Sequence, residues 1–137
     1  MKIISAYKTL PENIRLILTA IIGAAIGFVT YEIIYFFNPI EPRASSSWFI
    51  AFLVDVLRQH ALHRWLTFDT KTHYWKSLIR AYIMYSGALI TTTGLNYFLT
   101  KTLLIDHQLA WFICILIKAL ISLLFLKKYV FKKDAFF

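Results

Sequence analysis

A chain of 137 residues that is 59% hydrophobic, 16% charged and +8 in formal net charge is too apolar to be a water-soluble domain, because a domain of this size cannot bury that much apolar surface in its own core. The basic excess is not read as a nucleic-acid signal, since its residues collect beside long apolar segments. What remains is a single membrane domain over residues 1–137.

Four segments approach the roughly 20 residues that a bilayer core requires: 16–37, 48–66, 78–99 and 109–126. Residues 2–10 precede them as a short amphipathic helix, with Ile3, Ile4, Tyr7 and Leu10 facing lipid and Pro11 breaking it from the first span. A basic start before an apolar stretch is also the form of a secretory signal, but 16–37 is long for a signal core and reads as a retained span. Within it, Gly23 and Gly27 permit close helix approach, within the chain or at a dimer face. Near its outer end Glu32 stands by Tyr31 and Tyr35, either as an interfacial carboxylate or as a hydrogen-bonding group for sugar hydroxyls, with the tyrosines as apolar platforms.

The second segment carries Asp55, Arg58, Gln59, His60, His63 and Arg64, which is too polar for a helix that faces lipid along its length. Asp55, Gln59 and His63 are spaced by four and share one helical face, with Arg58 on the adjoining ridge. The third segment has a polar side formed by Tyr82, Tyr85, Ser86, Thr91 to Thr93 and Asn96, of the kind that joins helices. The fourth places Lys118 and Ser122 on one face. Its Cys114 is the only cysteine, so no internal disulfide framework exists and no thiol chemistry is implied.

Charge placement sets an expected topology. Lys2, Lys8, Arg15, Arg64, Lys71, Lys76, Arg80, Lys127, Lys128, Lys132 and Lys133 adjoin one side, and Arg43 and Lys101 the other, eleven against two. Basic loops stay in the cytoplasm, so both termini are expected there, with the chain a multi-pass protein of the cytoplasmic (inner) membrane in contact with anionic lipid. Trp48 and Trp111 on the outer side, and Trp65 and Trp75 on the inner side, read as headgroup-layer anchors.

The two halves repeat weakly. Residues 63–68 read His-Arg-Trp-Leu-Thr-Phe and residues 126–131 read Leu-Lys-Lys-Tyr-Val-Phe, an offset of 63. Near that offset Arg15 falls close to Arg80, Gly23 matches Gly87, Glu32 matches Asn96, Asp55 maps onto Lys118 and Gln59 onto Ser122. The expected fold is therefore all-α, with four transmembrane helices arranged as two duplicated helical hairpins in parallel orientation. A pseudo-two-fold axis along the membrane normal would bring Asp55 and Lys118 together. They then either neutralise each other between packed helices or line a functional polar cavity.

With Arg15, Gly23 and the two runs at 63–68 and 126–131 in these places, the chain resembles the GtrA-like membrane proteins, short four-helix chains built from a duplicated hairpin. His63 and Leu126 stand where that family usually has Asn, and Leu66 replaces an aromatic residue. The resemblance implies a part in cell-surface polysaccharide assembly: movement of a polyprenyl-phosphate-linked sugar between leaflets, or assistance to the glycosyltransferase that makes it. A lipid phosphate needs cationic donors, and the planar fork of Arg58 suits its oxygens. Arg64 and Lys127 are placed to snorkel to headgroups. The candidate site for lipid phosphate and sugar is thus Arg58, Asp55, Gln59, His63, Arg64, Lys118 and Glu32.

No enzyme is expected. There is no glycine-rich phosphate loop, activated serine motif or nucleotide-sugar domain, and His60, His63, His73 and Asp69 lack a metal-ligand spacing, so neither cofactor nor metal is expected. If sugar transfer occurs, a partner performs it. The functions left are a lipid-linked sugar translocator, a non-transporting anchor for a membrane glycosyltransferase, and a small proton-coupled exporter. Glu32 is off-centre in its span and Arg58 and Lys118 oppose cation binding, which disfavours the exporter. Four short helices enclose little volume, so a homo-oligomer is expected.

Overall fold

The structure is a computed structural model that describes the backbone of residues 1–67 and 73–125 and the side chains of 1–66 and 73–121. The described residues are all-helical: α1 (Lys2–Lys8), α2 (Glu12–Phe37), α3 (Arg43–Leu62), α4 (Tyr74–Tyr97) and α5 (His107–Phe125), with π-helical turns at His63–Thr67 and Phe98–Thr102 extending α3 and α4. The Asp69, Lys71, Lys127, Lys128, Lys132 and Lys133 positions, the 126–131 run and the Ser122 side chain lie outside what is described.

Proline marks the helix starts. Pro11 and Pro42 stand immediately before α2 and α3, where a missing N–H costs nothing. Asn38 ends α2 in an extended conformation before Pro39. Its side-chain amide donates to Ser46 Oγ (2.7 Å) and Ser47 Oγ (2.8 Å), while its Oδ1 accepts from the Ile40 amide (3.0 Å). Arg43 donates to the carbonyls of Tyr35 (2.6 Å) and Phe36 (2.7 Å), two of the acceptors that the end of α2 leaves open.

Helices α2 to α5 close into a ring, α2 on α3, α3 on α4, α4 on α5 and α5 back on α2. The polarity is inverted relative to a water-soluble bundle. Arg15, Asp55, His60, His63, Arg80 and Lys118 are buried, whereas Ile21, Ile83, Ile90, Leu116 and Leu120 are each more than half exposed. Small residues let the backbones approach: Ala51, Ala81 and Ala110 are buried almost completely. By length and hydropathy α2 alone among the described helices meets the measure of a spanning helix, and the apolar stretch of α5, His107–Ile121, is shorter. α3 and α4 fall below it because their inward faces carry the polar residues.

Several expectations are corrected by packing. Trp48 and Trp111 are core residues, each 2% exposed, and the Trp48 indole donates to Thr92 Oγ1 (3.0 Å). Helix α3 begins at Arg43, well before Trp48, which draws that ring inside. Trp65 and Trp75 do remain exposed. Tyr7 turns toward the protein: its hydroxyl donates to the Arg15 carbonyl (2.8 Å) and lies 2.7 Å from Thr19 Oγ1. The two matched glycines pack differently: a methyl group at Gly87 would meet nothing within 4 Å, while one at Gly23 would strike the Gln59 side chain.

Candidate functional site

A cavity of about 40 Å³ lies between α2, α3, α4 and α5. The four-residue spacing in α3 aims Asp55, Gln59 and His63 into it, with Arg58 beside them. Lys118 enters from α5, where Ala110, Cys114 and Lys118 form one buried row. Gly23 and Gly27 of α2 are the wall that makes room. At Gly27 an added methyl group would lie 3.1 Å from an Asp55 carboxylate oxygen and 3.2 Å from an Arg58 nitrogen. The glycine pair therefore serves contact within the chain, which replaces the dimer-face expectation.

The charges share one carboxylate. Arg58 Nη1 stands 2.7 Å from Asp55 Oδ1, inside ion-pair range but poorly angled for a hydrogen bond. Arg58 Nη2 donates to the Gly23 carbonyl (3.0 Å), tying α3 to α2. Lys118 Nζ is 3.7 Å from Asp55 Oδ2 and 4.4 Å from the centre of the Phe52 ring. Two cations thus face one anion, a net charge of +1 on a site whose three ionised side chains are between 4% and 19% exposed. Arg58 uses its fork on protein acceptors. Lys118 shares the Asp55 carboxylate at the longer distance, and its ammonium carries three N–H donors, more than one carboxylate oxygen takes up.

Glu32 and Arg64 lie outside this cavity. Arg64 is half-buried with its guanidinium 5.6 Å from the Tyr74 ring centre, at the end of the bundle where α1 packs. Glu32 is five residues beyond Gly27, about 7.5 Å along the helix. The tyrosines beside it are committed elsewhere: Tyr31 is fully buried with its hydroxyl 3.2 Å from His107 Nδ1, and Tyr35 stacks on His107 at 3.8 Å and under Arg43 at 4.5 Å. They are not open sugar platforms. His60 is 2.7 Å from Ser77 Oγ and close enough to His63 for their charges to interact, whereas His73 is exposed at the start of α4.

Tyr85 and Phe52 also belong to the site, Tyr85 in the cavity wall and Phe52 under Lys118. The inward period of α3 marks Phe52 as core but not as a cation's partner. Tyr85 appears in sequence only as one of several polar residues in its helix.

The family model described as GtrA/DPMS, transmembrane domain, matches residues 15–131. The chain belongs to this family. It is a membrane protein, and its family points to the handling of lipid-linked sugars. The inverted polarity of the bundle follows, since hydrocarbon accepts the apolar exterior while charged groups such as Asp55 and Lys118 turn inward. No curated protein and no solved structure matches the chain.

Proposed function

We propose that this GtrA/DPMS-family protein moves a polyprenyl-phosphate-linked sugar between the leaflets of the cytoplasmic membrane, with α2 to α5 as four spans in two parallel hairpins and both termini in the cytoplasm. The observation that carries the reading is the buried net-positive site, in which two cations hold one carboxylate. Such a site is incomplete without an anion, and a lipid phosphate supplies one within the membrane. The sugar and isoprenoid chain exceed a 40 Å³ cavity, so passage requires the bundle to open or a second copy to contribute a wall. No transfer chemistry is assigned to the chain itself; a membrane glycosyltransferase would make the lipid-linked sugar.

Purified protein reconstituted alone in vesicles should accelerate leaflet exchange of a fluorescent polyprenyl-phosphoryl sugar at least several-fold over protein-free vesicles. A rate equal to protein-free vesicles, together with increased product when a membrane glycosyltransferase is added, would replace transport by an accessory role.

Topology provides a separate prediction. In intact cells a cysteine at Glu41 should react with a membrane-impermeant thiol reagent, while cysteines at Lys71 and Lys133 should not, given the eleven-to-two basic asymmetry. Labelling at Lys133 but not at Glu41 would invert the orientation.

A further inference from the structure

We propose that α1 is a latch across one mouth of the cavity, held shut by the Tyr7 hydroxyl, so that release of Tyr7 admits the anionic headgroup; the ligand's identity rests on the reading above, the latch itself on geometry. The two walls of that mouth are identifiable. On α2, Thr19 lies one turn from Gly23 on the same face, and Ala20 and Gly23 line the cavity. On α3, Gln59 and His63 line it, and His63 begins the π-helical turn against which α1 packs. Helix α1 therefore bridges the wall from α2 and the wall from α3.

The attachment is slight. α1 has seven residues, none of them buried, and is joined to α2 through a break at Thr9–Leu10–Pro11. Among the described residues, its side-chain hydrogen bonds to the bundle converge on one atom. Tyr7 Oη donates to the Arg15 carbonyl at 2.8 Å and shares a 2.7 Å hydroxyl–hydroxyl contact with Thr19 Oγ1. Thr19 is fully buried under this contact. The cavity behind it has room for two or three waters and none for a phosphoryl sugar, so the arrangement is the closed one. Two hydrogen bonds on a helix with no buried residue form a tie that thermal motion can break, whereas α2 and α3 pack along their length and are tied by the Arg58–Gly23 hydrogen bond.

The test reads accessibility and needs no lipid-linked sugar. Ala20→Cys, which faces the cavity, is exposed to a small charged methanethiosulfonate in inside-out vesicles, with the otherwise natural chain as the control for buried Cys114. Tyr7→Phe should raise the rate of modification on the order of ten-fold, and Thr19→Val, which cuts the tie from the other side, should raise it in the same direction. Modification at Ser46→Cys, at the opposite end of α3, should not change. Unchanged rates at Ala20→Cys in both variants, or equal increases at Ser46→Cys, would overturn the latch. A ten-fold rise with no leaflet exchange by the natural chain would retain the latch and remove the transport reading. Normal exchange with unchanged labelling would do the reverse.

Discussion

Asp55→Asn should cost the folded protein on the order of 3 to 5 kcal/mol, and Lys118→Met less than about 1 kcal/mol, because the two changes leave different charges behind. Losing the carboxylate strands both Arg58 and Lys118 in a low-dielectric site, since they share it at 2.7 and 3.7 Å. Losing the lysine leaves Asp55 paired with Arg58 and replaces the amine by an apolar group of similar length over Phe52. The double variant Asp55→Asn with Lys118→Met should recover part of the loss and not all of it, because Arg58 remains uncompensated. Thermal unfolding in a single detergent, followed by helicity, measures the four proteins. Equal costs for the two single changes would mean that Arg58 does not share the carboxylate, and that Asp55 and Lys118 form the isolated symmetric pair that the repeat alone implies.

That asymmetry marks the limit of what the sequence makes legible. The 63-residue offset brings Asp55 and Lys118 into register, and they do meet. Their distance depends on the crossing of α3 and α5, and the interposed Arg58 depends on Gly23 offering its carbonyl, neither of which is encoded in a spacing. The polar face of α3 is readable because a four-residue period is a property of one helix. The headgroup-anchor reading of Trp48 fails because an aromatic residue at a span's edge can serve as anchor or as core, and the packing of α3 on α4 places it in the core. In the sequence, chemistry alone joins Glu32 and Arg64 to the site. Their separation from it is a matter of height along the bundle, which requires the packed helices.

The division of labour between the two cations carries the last expectation. Arg58 spends one nitrogen on Asp55 and another on the Gly23 carbonyl, so on the proposed reading Arg58 would position the site and Lys118 would meet the phosphate. Lys118→Met should reduce leaflet exchange of a polyprenyl-phosphoryl sugar on the order of 10- to 100-fold, the loss expected from one charge-assisted hydrogen bond to a phosphate oxygen, while the protein stays folded. Lys118→Arg should retain part of the rate, since the charge persists and only its placement changes. Arg58→Lys should keep a cation beside Asp55 but lose the second bond to α2. It should therefore lower stability by about 1 kcal/mol and alter exchange little. The same vesicles and the same unfolding measurement serve all three variants. If Arg58→Lys abolishes exchange and Lys118→Met does not, the phosphate is held by the planar fork of Arg58, and its bond to Gly23 must break each time the ligand binds.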